Sequence, residues 1–231
     1  MDNLALVNRA RNECGVSGSD LVTLQTGLSM EGQRFVQWVN QAWIDIQASR
    51  PDWQWMRKAA TFQTVAAQAA YTIAEMGVSD LGDWKRNTFR SYLTSTGVGA
   101  EQFMNDWEYS AFRDTYQFSS LRSSTGYPLD MTIQPDKTMA LWPTPNAAYT
   151  INGEYYRAPT ELSADDDDPS SAGNGLPDRF HMLIVGYAME SYAAYESAPE
   201  VDERAKTIIR RHLTRLINWG LPPMFGAPAL A

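Results

Sequence analysis

The hydrophobic period changes twice along this chain, and those changes limit the folds open to it. Up to Ala59 the apolar residues recur at three- and four-residue steps. From Thr61 to Tyr156 short stretches alternate instead. After Pro177 the helical step returns. Helices at both ends with strands between them make an α+β chain.

The first helix is expected over residues 2–13, with Leu4, Val7 and Arg11 on one stripe and Leu6 and Ala10 beside it. Gly15 and Gly18 end it. Residues 17–29 read as a loop or edge element. A stronger helix is expected over 30–49, where Phe35, Trp38, Val39, Ala42, Trp43 and Ile46 share a face. Ser29 is placed to cap it, and Pro51 stops it by disfavouring helical geometry at the residue before.

Strands are expected at Thr61–Val65 and Tyr71–Ile73, with a turn at Ala66–Ala70 between them. Others are expected at Thr88–Thr94, Leu129–Gln134, Thr138–Trp142 and Tyr149–Tyr156. Glu101–Ser119 reads as a short helix plus a loop. Thr160–Pro177 holds four aspartates in a row, Asp165 to Asp168, then Pro169, Ser170, Ser171, Gly173, Asn174 and Gly175. A charge block among turn formers reads as a solvated linker that does not pack.

Two helices follow, at about 177–197 and 199–219. Phe180, Leu183, Ile184, Tyr187 and Ser191 share a face of the first. Val201, Ala205, Ile208, Ile209, Leu213 and Leu216 share one on the second. Glu200, Asp202 and Glu203 sit at its start and Arg210, Arg211 and Arg215 near its end, as the helix dipole favours. Gly220 stops it, and the tail LPPMFGAPALA has three prolines. The expected fold is a helical bundle formed by the N- and C-terminal helix pairs, with an inserted small antiparallel β module. The segments are 1–58 and 178–220 for the bundle, 59–157 for the module, 158–177 for the linker and 221–231 for an extended tail.

Composition excludes several functions. Twenty-seven acids against 19 bases leave a net charge of -8, the wrong sign for a protein that grips duplex DNA. Cys14 is the one cysteine, so no intrachain disulfide forms. The N-terminal residues lack the apolar core of a signal peptide, and Met182–Met189 is too short to span a membrane.

No catalytic, cofactor-binding or metal-ligating residues are expected. His181 and His212 have no second histidine or cysteine at metal spacing. A Cys14–histidine pair is disfavoured, because Cys14 lies at a helix C-terminus, whose dipole opposes a thiolate. Neither a phosphate-binding loop nor a dinucleotide turn is present. The aspartate run fails as a calcium loop: counted from Asp168, position six is Gly173, but position twelve is Arg179. Carboxylates paired for glycoside hydrolysis are a tertiary feature, and Trp53, Trp55, Trp84 and Trp107 could stack on sugars. A virion-associated glycosidase or peptidase and a carbohydrate-binding module are therefore the alternative readings. Trp53 and Trp55, next to Pro51, fit a core better.

The most specific stretch runs from Gln33 through Asn40-Gln41-Ala42-Trp43-Ile44-Asp45-Ile46 to Pro51-Asp52-Trp53-Gln54-Trp55. It continues at Thr61-Phe62-Gln63-Thr64-Val65-Ala66-Ala67-Gln68-Ala69-Ala70-Tyr71. Gly126-Tyr127-Pro128, then Leu141-Trp142-Pro143-Thr144-Pro145 and a strand ending Glu154-Tyr155-Tyr156, follow in order. This set, over residues 30–157, resembles the head-to-tail adaptor proteins of tailed bacteriophages.

The resemblance implies a structural neck protein, assembled in the host cytoplasm and resident in the virion. Its copies would form a dodecameric ring under the portal, extend the DNA channel and offer a surface to the tail or nozzle. A ring stopper or tail completion protein is the near neighbour. It implies no enzyme activity, no cofactor, no membrane contact, and DNA that passes without specific binding. An acidic lumen suits sliding, since it repels phosphates within a Debye length of about 8 Å. The apolar tail residues Leu221, Pro222, Pro223, Met224, Phe225 and Leu230 are the portal-interface candidates, because proline stiffening lowers the cost of ordering a docking segment.

Overall fold

The structure is a computed structural model, and it describes residues 1–171 and 175–221. It divides into two compact units, Met1–Met56 with Pro159 onward, and Arg57–Ala158.

Four helices build the first unit: α1 (Asn3–Glu13), α2 (Met30–Ala48), α4 (His181–Glu196) and α5 (Pro199–Gly220). The Asp2 carboxylate caps α1 by accepting from the Ala5 amide at 2.8 Å, and the Ser29 hydroxyl caps α2 through Gly32 at 3.1 Å. α4 is the central element. His181, Leu183, Ile184, Val185, Gly186, Ala188, Met189 and Ala193 are all buried on it, since α1, α2 and α5 each pack against it. Gly186 admits α5 at close range: a Cβ there would lie 3.0 Å from Ile209 and 3.1 Å from Ile208.

The described part of the acidic segment is not a solvated linker. Leu162 and Leu176 are buried in the helical core. Asn40 of α2 donates to the Leu162 carbonyl at 2.9 Å and accepts from its amide at 2.7 Å. One heptad on, Gln47 does the same to Thr160, at 2.9 and 3.1 Å. The carbonyls of Asp167 and Asp165 accept from the Asn3 and Leu4 amides, two of the donors that a helix start leaves open. The Asp165 carboxylate binds the Thr23 hydroxyl and the Leu24 amide, and that of Asp167 binds the amides of Ser163 and Ala164. A charge run packs when its carboxylates have backbone donors to accept from.

The second unit holds ten strands: β1 (Arg57–Gln63), β2 (Ala70–Tyr71), β3 (Leu81–Leu93), β4 (Gln102–Phe103), β5 (Asn105–Trp107), β6 (Thr125–Gly126), β7 (Asp130–Ile133), β8 (Met139–Trp142), β9 (Thr144–Pro145) and β10 (Tyr149–Arg157). It also holds a short helix, α3 (Tyr109–Phe112). One four-stranded sheet runs β1-β10-β3-β4 and a second β2-β8-β7-β5; β6 and β9 form a ribbon. One core, with Phe62, Trp84, Phe89, Met131, Met139, Leu141, Ile151 and Tyr155, draws on both larger sheets.

The expected bundle with a small antiparallel module needs correction. The β part, Arg57–Ala158, is close to half of the 231-residue chain and has several sheets of its own. It is not purely antiparallel, because β5 pairs parallel with β7, and β6 with β9. β5, β6 and β9 are two or three residues long, too short to show alternation in a sequence. Glu101–Ser119, expected as a helix and loop, contributes β4 and β5 before α3 and one wider helical turn, Arg113–Gln117.

Candidate interaction surfaces and the buried polar cluster

The titratable residues gather at one point of the helical unit. Donor atoms of Asp168, Asp178 and His181 lie within 4.8 Å of one another, the one metal-capable grouping among the described residues. The Met1 amino group sits among them, 2.9 Å from His181 Nδ1, 3.4 Å from Asp178 and 3.6 Å from Asp168. An ammonium there meets the charge demand that a cation would meet. His181 Nε2 faces the Leu176 carbonyl at 3.2 Å. Nε2–H therefore donates to Leu176, and Nδ1 accepts from Met1, which is the neutral ring's pattern.

Burial, and then the Met1 charge, hold the His181 pKa below its ordinary 6.5. Burial does the same for His212, beside Arg215 and Arg211. Both shifts make the unfolded chain the better proton acceptor. The stability they carry is present above about pH 6.5 and is lost as pH falls towards the folded values. Thermal unfolding is expected to show a midpoint that drops from about pH 7.5 to about pH 5.5, with a shallower drop in His181→Gln. Equal slopes in the two proteins would refute this account of His181.

Several motif residues of the β unit, among them Phe62, Thr64, Tyr71, Leu141 and Tyr155, are buried. The Tyr71 hydroxyl accepts from the Val65 amide at 3.0 Å and donates to the Gln68 carbonyl at 2.9 Å, pinning the 65–68 turn. The Thr64 hydroxyl accepts from the Tyr149 amide at 2.9 Å. Tyr127 donates to the Ser91 carbonyl, and Trp142 stacks on Tyr116 with ring centroids 4.1 Å apart. Asp130, 7% exposed, accepts from Asn105 at 2.9 Å and Trp107 Nε1 at 2.8 Å. Asp106 is forked by Arg86 and accepts from the Asn87 amide at 2.9 Å, which fixes the bend of β3. These contacts tie the strands and turns of the β unit to one another.

The other sequence candidates fall as follows. Cys14 is buried, and burial pushes its thiol up to about 12, so it is no nucleophile at neutral pH. Trp53 and Trp84 are core residues, closed to sugars; Trp55 and Trp107 are half-buried. Of the tail candidates, Leu221 is half-buried against the helical core. Pro222, Pro223, Met224, Phe225 and Leu230 lie outside the described residues.

Exposed rings remain on both units. In the helical unit Arg34 lies 4.3 Å over Tyr195, which meets Trp38 and is half exposed. In the β unit Arg90 covers Phe103 at 4.1 Å, and Phe118 is 74% exposed near Arg113. Aromatic–arginine pairs open to solvent are typical of protein contact surfaces. Nothing in the residue pattern distinguishes the rings left outside from those in the core.

The sequence matches the family described as SU10 adaptor protein over residues 1–218. The chain belongs to that family. It is a family of phage head-to-tail adaptors, which agrees with the resemblance drawn from residues 30–157, and its role is structural. No curated protein matches the chain. Membership of the SU10 adaptor family extends the resemblance to the helices at both ends, including the packed acidic segment. No described helix is long and apolar enough to cross a membrane.

Proposed function

We propose that the chain is a subunit of an adaptor ring in the virion neck. The ring, of twelve copies, joins the portal at the capsid vertex to the tail or nozzle and continues the DNA channel. DNA passes through without specific binding, and the chain transforms no substrate. The family match over residues 1–218 carries this reading. The acidic excess supports it, since an acidic wall does not retain phosphates, and so do motif side chains such as Thr64 and Tyr71, which are engaged in internal bonds.

Native mass spectrometry of the chain mixed with its portal is expected to show ring-sized assemblies, and a strict monomer would overturn the proposal. The apolar tail, with Leu221, Pro222, Pro223, Met224, Phe225 and Leu230, docks on the portal. Removing residues 222–231 is expected to weaken portal binding about ten-fold or more, the worth of one buried apolar side chain. The circular dichroism of the helical unit stays unchanged. Unaltered affinity would reject the tail's role.

A further inference from the structure

α5 carries two unlike surfaces on its opposite flanks. At about 100° per residue, Arg204, Arg211 and Arg215 fall on one stripe, while Asp202 and Lys206 fall about 180° away. The stripe borders a shallow hollow lined by Glu203, Arg204, Thr207, Ile208 and Arg211. Arg204 is paired with Glu13. Arg211 and Arg215 are exposed and form no ion pair among the described residues, and both lie close enough to His212 to oppose its protonation. Two uncompensated guanidinium groups one helical turn apart repel each other, an arrangement that a partner with negative charge relieves.

The other flank offers that charge. Between the end of α4 and the start of α5 lies an open groove of about 610 Å³. It is lined by the small residues Ala193, Ala194, Ser197 and Ala198, by Pro199, and by Glu190, Asp202 and Lys206. Asp202 is held by Lys206 at 2.5 Å; the same ammonium feels the charge of Glu190 without an ion pair to it among the described residues, so the groove keeps one net negative charge. Small side chains leave room for the long stem of an arginine, and the Glu190 carboxylate, which no ion pair holds among the described residues, accepts its head.

We infer that the Arg211–Arg215 stripe of one copy docks into the Glu190–Asp202 groove of the next copy. The inference rests on the ring reading and names the faces that close the ring. A heterologous contact needs two different, complementary patches facing opposite ways, and repeating it generates a closed ring when the rotation per copy allows. The stripe lies on α5 and the groove where α4 meets α5, so one helix pair carries both.

The test uses full-length chains mixed with portal and read by native mass spectrometry, with circular dichroism melts to confirm folding. R211E/R215E alone and E190R alone each lose the ring. Mixed together they restore it, because every junction then joins opposite charges, and the two masses alternate around it. Rings that persist in R211E/R215E, or that fail to return in the mixture while wild type forms them, overturn the inference and leave the ring reading standing. A wild-type chain that stays monomeric beside portal overturns both. If rings persist in R211E/R215E while salt-sensitive binding to a short DNA duplex is lost, the stripe serves DNA and the inference is wrong. It is equally wrong if only removal of residues 222–231 disperses the ring, since the tail is then the occupant.

Discussion

Gly153→Ala is expected to lower the thermal midpoint of the β unit by about 12–24 °C, measured by calorimetry. A Cβ built at Gly153 would lie 2.3 Å from both Cδ1 and Cε1 of Phe89, well inside contact distance. Phe89 is 1% exposed and stands edge-on to Trp84 at 5.6 Å, so its ring has nowhere to retreat. Gly153 also lies where the pairing of β10 with β3 shifts register, between Asn152 and Glu154. Overpacking of this kind costs about 3 kcal/mol, and a unit of this size loses about 4–8 °C for each. Phe89→Leu in the same chain makes room and is expected to recover part of the loss. Strictly additive losses in the double variant would show that the two side chains do not collide.

Trp53→Ala is expected to cost the helical unit about 3–5 kcal/mol in urea unfolding, and Trp53→Phe distinctly less. The Trp53 ring is fully buried, and its Nε1–H donates to the Ile46 carbonyl at 3.0 Å, which closes the end of α2. Gly220, the last residue of α5, lies against it so closely that a Cβ there would come within 2.9 Å of Cε3. One side chain thus ties the ends of two helices far apart in sequence. Phenylalanine keeps most of that packing and loses the hydrogen bond. A Trp53→Ala chain within about 1 kcal/mol of wild type would refute this.

The helices were legible because each obeys local rules. Ser29 before α2, Pro51 after it and Pro199 opening α5 are marks of chain geometry that need no partner. Leu129–Gln134 was legible as a strand, since its residues alternate, and Thr138–Trp142 as a short apolar run; the structure pairs them as β7 and β8. β3 was only half seen. Asn87, with a positive φ, and the shifted register opposite β10 break the alternation over Leu81–Asn87. Asp165 and Asp167 misled for another reason. An aspartate run looks solvated until the amides it accepts from are known, and Thr23, Leu24 and Asn3 lie far away in sequence. The Asn40 and Gln47 pairs with Leu162 and Thr160 explain the polar positions of the α2 motif, but only the folded chain shows what they hold. The two flanks of α5 could be drawn from sequence as a wheel. That one of them meets the small-residue end of α4 could not.

The β unit begins and ends at neighbouring points, because Arg57 of β1 sits directly across from Tyr156 of β10. Residues so placed are about 5 Å apart at their Cα atoms, a gap that one or two glycines could bridge. Evolution can therefore trade or lose this whole section through a single splice, with the host helices kept in frame. Relatives are expected to vary most sharply in what they carry between those two positions.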